Sequence, residues 1–374
     1  MPLVLPDQPV PPARHLRRIL RPLLSLRRPL RMKAYLNTLY VTTQGAYLCK
    51  DGLNVVVRAD HEERLRLPIH TISGIVCFGL VSCSPELMHF CAKSNVGISF
   101  LSEHGRFLAS VRGPISGNVL LRRQQYRQAD DDLCSAQIAA AILTAKFSNC
   151  RTVLQRALRD HPDMPGAADT AAAVATLERL LHALAATLSL DELRGIEGHA
   201  AGAYFGVFDH LITAQKDCFF FHGRSRRPPL DNVNALLSFL YTLLMHDVRS
   251  ALEATGLDPQ AGYLHRDRPG RYGLALDLME ELRPVLADRV ALSLINLKQV
   301  SPKGFTCSET GAVTMKDDTR KEVIVAWQNR KRETLRHPFI NEEIEVGLIP
   351  HVQAQLLTRH LRGDLDAYPP FIWK

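Results

Sequence analysis

The periodicity of the hydrophobic positions changes near residue 115 of this 374-residue chain. Before that point apolar and polar residues alternate in period two between turn signals, which is typical of half-buried strands. Residues 85–94 are the exception, because their apolar positions have helical spacing. The predicted strands cover residues 35–42, 46–58 with a turn at 50–52, 69–78, and 96–101.

Beyond residue 117 the apolar positions recur every three to four residues, which predicts helices. The predicted helix at 231–254 carries a wide apolar face, so we assign it to the core and give it no chemistry. We therefore expect an α+β fold in which a small N-terminal β-rich domain, residues 32–115, precedes a larger all-α domain, residues 116–374. The predicted helices cover residues 120–158, 169–188, 189–214, 231–254, 273–296 and stretches after 316.

The composition is that of a globular intracellular protein. At 46% hydrophobic residues the chain can bury a sizeable core, and no apolar run approaches the roughly 20 residues that a membrane span requires. The eight cysteines are scattered and contain no C-x-x-C pair, as expected of reduced thiols. We expect a cytoplasmic protein with no membrane partner.

Glu197 is the most informative single residue. Ser189 and Glu192 form an S-x-x-E capping box, so a helix is predicted to begin there and to place Glu197 on its apolar face. Burying a carboxylate costs several kcal/mol unless a cation or several donors meet it, and a metal ion would meet that need. The alternative is an ordinary solvated glutamate. The apolar positions of this helix are Leu193, Ile196, Ala200 and Tyr204.

Two further acids and a histidine lie about seventy residues later. His265 is in a loop, and the helix predicted from Gly273 places Asp277 and Glu280 on one face. Carboxylates with one imidazole suit magnesium or manganese, and the absence of nearby thiolates argues against structural zinc. Alternatively these acids, and Glu281 beside them, are surface residues that only improve solubility.

Two arginine-rich loops are candidate DNA contacts. The first precedes the helix at 231–254, where both charge and backbone amides can meet a phosphate, and the second follows His265. Each is equally well explained as a solvated loop. The residues concerned are Arg224, Arg226 and Arg227 in the first loop, and Arg266, Arg268 and Arg271 in the second.

Six segments, in order, resemble the CRISPR-associated integrase of the spacer-acquisition (adaptation) module, particularly its type I-C branch. The resemblance runs through nearly all of residues 32–374. The segments are MKAYLNTLYVTTQGAYLCKDGLNVVVR from Met32, EGHAAGAYFG from Glu197, RPPLDNVNALLSFLYTLL from Arg227, GYLH ending at His265, LALDLMEELRP around Glu280, and the terminal YPPFIWK.

The resemblance implies a metal-dependent enzyme whose helical domain is catalytic. Its Mg²⁺ or Mn²⁺ would be held by Glu197, His265 and Glu280, with Asp277 supporting the site. The implied reaction is transesterification, in which a DNA 3′-hydroxyl of a protospacer attacks a phosphodiester of the repeat array. The implied partners are double-stranded DNA, a second copy of the chain in a homodimer formed through the β-rich domain, and a smaller adaptation nuclease that bridges dimers. Gly202 departs from relatives that often have arginine there.

The first 31 residues carry most of the net charge of +8. They hold seven arginines, one aspartate and seven prolines, so they carry +6 and residues 32–374 carry +2. Such a segment can be a disordered basic arm that contacts phosphates. We favour upstream sequence joined by a misplaced start codon, because the family-like sequence begins at Met32.

Two other functions stay open at this point. One is a DNA-binding structural subunit whose metal site is vestigial. The other is a general metal-dependent nuclease that plays no part in integration. Phosphodiester transfer with manganese separates the first from an enzyme, and joining of a protospacer to a repeat separates the second.

Overall fold

The computed structural model describes residues 38–373 apart from 61, 73, 95, 103–106, 112 and 114–118. The segment 1–31 and the start of the strand predicted at 35–42 lie outside the described residues. Within the described part, no helix combines the length and the apolar composition needed to cross a membrane. All eight cysteines are free; Cys77, Cys91 and Cys150 are buried, whereas Cys218 and Cys307 are exposed.

The N-terminal part contains two four-stranded sheets. In the first, with order β1-β5-β7-β8, β5 is parallel to β1 and β7, while β8 is antiparallel to β7. In the second, with order β4-β3-β2-β6, only the β2–β6 pair is parallel. The elements are β1 (Thr38–Val41), β2 (Tyr47–Asp51), β3 (Asn54–Ala59), β4 (Glu62–Pro68), β5 (Gly74–Phe78), β6 (Ser82–Cys83), α1 (Pro85–Lys93), β7 (Gly97–Leu101) and β8 (Phe107–Val111).

The predicted strands and the helix at 85–94 are confirmed in the described residues, and three further strands, β4, β6 and β8, were not predicted. Ile69–Thr71, at the start of the strand predicted at 69–78, forms a 3-10 turn instead. Strand β4 was not predicted, because its sequence EERLRLP is largely charged. It lies at the edge of its sheet, where charged side chains reach solvent and the usual apolar alternation is lost.

Strand β5 lies between two hydrophobic cores. Ile75 and Cys77 pack into the core of the N-terminal strands, whereas Val76 and Phe78 pack among the helices. The ring centroids of Phe78 and Phe239 are 5.8 Å apart. One sheet therefore serves both cores, and the division into domains at residue 115 stays a prediction.

The rest of the described chain is mostly helical, as predicted, with two short hairpins in addition. The hairpin strands are β9 (Phe305–Cys307) with β10 (Val313–Met315), and β11 (Thr334–Arg336) with β12 (Glu343–Glu345). The helices are α2 (Val119–Ala129), α3 (Asp132–Asp160), α4 (Ala167–Ala183), α5 (Leu190–Gly206), α6 (Asn232–Thr255), α7 (Gly273–Glu280), α8 (Arg289–Asn296), α9 (Asp317–Arg332) and α10 (Ile349–Leu361).

Helix α6 is the central core helix, as its pattern predicts. The Asp231 carboxylate accepts the backbone N–H of Asn234 at 2.7 Å, and the helix ends at Gly256, whose φ of 87° favours glycine. Leu236, Leu240 and Leu244 are fully buried.

Two predicted helices are each divided in the structure. The helix predicted at 120–158 breaks before Asp131, whose carboxylate accepts the N–H groups of Leu133 and Cys134, both at 2.9 Å. The helix predicted at 273–296 contains a π-helical turn at Pro284–Asp288, between α7 and α8. Proline lacks the N–H that an α-helix needs, so the ladder widens there. The π turn directly follows the acids of α7.

Candidate metal centre

Glu197 lies in the middle of α5, whose capping box begins the helix as predicted. The Ser189 N–H donates to the Glu192 carboxylate at 2.8 Å, and the Glu192 N–H donates to the Ser189 hydroxyl at 3.3 Å. The expectation that Glu197 is buried is wrong, because its side chain is 31% exposed. Helix α5 packs along the line of Leu193, Ala200 and Tyr204, and Glu197 lies at the edge of that line.

Lys146 provides the positive charge that stabilises the Glu197 carboxylate on the apolar side of α5. Its side chain projects from α3, is only 9% exposed, and places Nζ 2.5 Å from Glu197 Oε1 and 2.8 Å from Glu280 Oε2. Burial would lower the pKa of this lysine, but Glu280 and Glu197 outweigh it and raise the pKa. The two predicted acids therefore converge on one charged ammonium.

Glu280 is more buried than Glu197. Its Oε1 forms an ion pair at 2.7 Å with Nη1 of Arg283, which lies one helical turn later in the chain. Burial would raise the pKa of Glu280, but Arg283, Lys146 and His265 hold it down at about 2. Its Oε2 lies 2.8 Å from Lys146 Nζ, so a cation contacts each of the two carboxylate oxygens.

Asp277 holds the loop that carries His265. Its Oδ1 lies 2.5 Å from the Nδ1 atom of His265 and accepts the His265 N–H at 3.0 Å. Its Oδ2 accepts the N–H groups of Tyr263 at 2.6 Å and Leu264 at 3.0 Å. With Nδ1 engaged, Nε2 is the ring nitrogen left for a ligand, which is how metal-binding histidines are commonly oriented.

These residues fit a divalent cation. Over the described ranges no three histidine, cysteine, aspartate or glutamate side chains already cluster closely enough to hold a metal. Lys146, however, stands between Glu197 and Glu280, and His265 is near enough to lower the pKa of Glu280. Two carboxylates with an imidazole suit Mg²⁺ or Mn²⁺, and both carboxylates already contact a cation, the Lys146 ammonium.

A small cleft of about 20 Å³ opens beside this cluster, room for about one water. Its floor includes Asp288, at the end of the π turn, which accepts the hydroxyls of Tyr241 at 2.7 Å and Tyr204 at 3.1 Å. Burial raises the pKa of Asp288 to about 6, against the lowering effect of both hydroxyls. Lys146, Arg224, Arg226 and Arg283 also line the cleft. Its walls are thus more cationic than acidic.

The first arginine loop contributes directly to the cleft. Arg224 donates to neutral acceptors, the Asn234 side-chain oxygen at 2.6 Å and the Ser225 carbonyl at 3.0 Å. Burial lowers its pKa, and the nearby charge of Arg226 adds to that effect. Arg226 and Arg227 are exposed. Two of the three predicted residues therefore border the site, and Arg227 faces solvent.

The arginines of the second loop differ in their contacts. Arg266 forms an ion pair with Asp191 at 2.8 Å on the surface. Burial lowers the pKa of Arg271, and repulsion from Arg268 and Arg226 adds to this. The charge of Arg226 thus acts on Arg271, and we define Arg224, Arg226, Arg268 and Arg271 together as the basic rim.

The alternative that Glu281 is a surface residue is wrong. It is fully buried and accepts the Tyr368 hydroxyl and the Phe371 N–H, both at 2.7 Å, and the Gln353 amide at 3.0 Å. Asp277 and Glu280 are likewise buried, so their surface alternative is also wrong. The terminal YPPFIWK segment therefore folds back on the end of α7.

Several functional groups were not found from the sequence. Lys146 has a visible signal, because it is a lone cation between the buried residues Ala145 and Phe147 of an apolar helix. The reasoning applied to Glu197 would have selected it. Arg283 and Asp288 had no such signal, because their roles depend on the π turn.

The chain is similar in sequence to known proteins. Residues 39–329 match the family model for CRISPR associated protein Cas1. The CRISPR-associated endonuclease Cas1 1 of Chlorobaculum tepidum is 54% identical over 343 residues, which cover 92% of this chain and 100% of the relative.

Solved structures share the fold at lower identity. A casposase bound to integration product has a TM-score of 0.76 and 23% identity, covering 90% of this chain and 94% of that chain. A chain of a Cas6-RT-Cas1--Cas2 complex has a TM-score of 0.75 and 22% identity, covering 90% of this chain and 36% of that one. Assignment to the type I-C branch stays a prediction. The family-model match and the identity to the Chlorobaculum protein over nearly the whole chain show that the chain belongs to the Cas1 family of CRISPR-associated proteins.

Proposed function

We propose that this protein is a metal-dependent DNA endonuclease and integrase that inserts new spacers into a CRISPR array by transesterification. The observation that carries the proposal is the meeting of Glu197 and Glu280, from two separate helices, at one buried cation. His265 is held beside them by Asp277. A buried acid whose pKa is strongly perturbed and which lines a cleft, as Glu280 does, is typical of functional sites.

Glu197, His265 and Glu280 would hold Mg²⁺ or Mn²⁺ in this scheme. A divalent cation there supplies stabilisation of the charge that develops on the phosphate and on the leaving 3′ oxygen. Asp277 acts as a positioning residue, because its bond to Nδ1 sets the imidazole orientation and its three backbone donors fix the loop. Arg283 and Lys146 hold the Glu280 carboxylate in place.

The reaction exchanges one phosphodiester for another. The protospacer 3′-hydroxyl oxygen forms a bond to phosphorus, and the bond from phosphorus to the 3′ oxygen of the repeat strand breaks. The attacking hydroxyl loses a proton and the leaving oxygen gains one, so the step needs no oxidant or reductant. With water as the nucleophile the same site would be a nuclease.

The basic rim would bind the DNA backbone. Arg224 and Arg226 border the cleft, and Arg268 and Arg271 continue the positive charge toward the His265 loop. Guanidinium groups suit phosphate because their donors form a planar fork. Arg266 and Arg227 would contribute less, since Arg266 already pairs with Asp191 and Arg227 faces solvent.

The proposed partners follow from the family. They are double-stranded DNA as protospacer and as repeat array, a second copy of the chain that pairs through the β-rich part, and the smaller adaptation nuclease. The solved Cas6-RT-Cas1--Cas2 complex supports the smaller nuclease as a partner by analogy. A cytoplasmic location is proposed with them.

A strand-transfer assay tests the function. A protospacer duplex is incubated with a repeat duplex and Mn²⁺, and joined strands are resolved on a denaturing gel. Glu197→Gln, His265→Ala and Glu280→Gln are expected to abolish joining, whereas Glu178→Gln, an exposed position on α4, is expected to retain it. A protospacer with 3′-deoxy ends should not be joined, because it lacks the nucleophile.

The same assay separates the alternatives. Cleavage of DNA without joining would indicate a general nuclease. Binding with neither cleavage nor joining would indicate a structural subunit. Near-normal joining by two of the three ligand variants would show that the site is assigned to the wrong residues.

A further inference from the structure

We propose that Lys146 is an internal competitor of the divalent cation: its ammonium and the metal bind the same two carboxylates. Lys146 thereby acts as a positioning residue that keeps Glu197 and Glu280 converged. This inference rests on the proposed function, because it takes these glutamates to be metal ligands. The observation behind it is the ammonium located between Glu197 Oε1 and Glu280 Oε2, at 2.5 and 2.8 Å.

The charges of the groups in direct contact with Glu197 and Glu280 are already balanced. The two carboxylates carry two negative charges, and the Lys146 ammonium and the Arg283 guanidinium that contact them carry two positive charges. A divalent cation between the carboxylates would leave an excess of positive charge in a poorly solvated place. Like charges a few ångströms apart repel strongly in such surroundings, so one resident cation must move away.

Lys146 is better able to move than Arg283. Its ammonium sits on a flexible four-carbon stem, whereas a guanidinium is a rigid planar group. Arg283 lies 5.0 Å from the centre of the Tyr241 ring in addition to its Glu280 contact. Lys146 lines the cleft beside Glu280, and Asp288 lines the same cleft, so rotation of the Lys146 side chain can carry the ammonium toward that second carboxyl group.

The backbone of Lys146 is fixed close to the site. Asn149, three residues later in α3, donates to the carbonyl oxygens of Glu281 at 2.7 Å and Phe371 at 2.9 Å. Its side-chain oxygen accepts the Trp373 N–H at 2.8 Å. Helix α3 is therefore tied to the end of α7, and the exchange involves the Lys146 side chain rather than the helix.

Competition predicts that metal affinity rises when the lysine is removed. Titration of Mn²⁺ into the full chain by isothermal calorimetry should show at least about tenfold tighter binding for Lys146→Met, because a nearby unit charge no longer opposes the metal. Arg151→Met, which removes a charge of α3 that pairs with Glu178, should change affinity less than about twofold. In EDTA, Lys146→Met should melt below the wild type, and saturating Mn²⁺ should raise its melting temperature more.

The outcomes distinguish this inference from the proposed function. Mn²⁺ binding that is lost in Glu280→Gln but no tighter in Lys146→Met would overturn the competition and leave the metal site standing. Equal Mn²⁺ binding by wild type and Glu280→Gln, or none by the wild type, would overturn both.

A second measurement uses the wild type, in case Lys146→Met does not fold. Lysine acylation followed by mass spectrometry should find Lys146 protected in EDTA and labelled several-fold faster in saturating Mn²⁺. Unchanged protection of Lys146 at a metal concentration that saturates the calorimetric signal would show that the ammonium stays in place, which contradicts the competition.

Discussion

Replacing Glu281 by glutamine is expected to remove a pH dependence from the stability of the protein. This carboxyl is fully buried and is met by the Tyr368 hydroxyl, the Phe371 N–H and the Gln353 amide. Burial raises its pKa to about 8, although all three donors act to lower it. The folded protein therefore keeps a proton on Glu281 at pH values where the unfolded chain has lost it.

The sign and size of the effect follow from that difference. Because the folded pKa is raised, the stabilisation is complete below the ordinary value of 4.5 and is lost as pH rises toward about 8. Between these limits one proton is released on unfolding, so stability falls by about 1.4 kcal/mol per pH unit. Glutamine imitates the neutral acid and should cost only about 1 kcal/mol near pH 6.

Guanidinium denaturation followed by circular dichroism, in EDTA from about pH 5.5 to pH 7.5, measures the effect. Burial lowers the pKa of His337 and His351 to about 4, which gives an opposite slope below pH 6.5 in both proteins. The difference between wild type and Glu281→Gln therefore isolates Glu281, and Glu178→Gln on the surface should leave the slope unchanged. Equal slopes in wild type and Glu281→Gln, or a loss of about 3 kcal/mol at pH 6, would mean that Glu281 is ionised and held by its donors.

Two further results are expected. Asp277→Asn should weaken Mn²⁺ binding by about 10–100-fold in calorimetry, because it loosens the imidazole without removing a ligand, and unchanged affinity would leave Asp277 with a structural role only. Arg268→Ser together with Arg271→Ser should flatten the slope of log affinity against log salt on duplex DNA by up to about 1.8 units, measured by fluorescence anisotropy in EDTA. Arg266→Ser should change it much less, since this residue is paired with Asp191; an equal effect would mean that the pair opens on DNA.

Local signals were sufficient for much of the fold. The Ser189–Glu192 capping box, the Asp231 cap and the left-handed Gly256 mark helix ends through contacts within one turn, so sequence alone locates them. Strand β4 could not be predicted from the sequence, because charged edge strands lack apolar alternation. The π turn could not be predicted from the sequence, because helical periodicity continues across Pro284.

The site was predictable only where a residue conflicted with its own surroundings. Glu197 is an acid on the apolar side of its helix, and Lys146 is a cation among the buried residues of its own helix. Glu281 could not be distinguished from Glu280, because its partners Gln353, Tyr368 and Phe371 are about seventy to ninety residues away in the chain. The distinction between a metal-facing acid and a structural acid is made by tertiary contacts.

The most direct test of the metal centre is pulsed electron paramagnetic resonance of bound Mn²⁺, with the spin-echo modulation used to detect nitrogen in its coordination shell. We expect a histidine nitrogen coupling in the wild type, its loss in His265→Gln at Mn²⁺ concentrations that still saturate the protein, and its retention in His199→Gln, which changes an exposed histidine of α5. A nitrogen coupling that survives His265→Gln, or bound Mn²⁺ with only oxygen ligands in the wild type, would contradict the assignment of Glu197, His265 and Glu280 as the site.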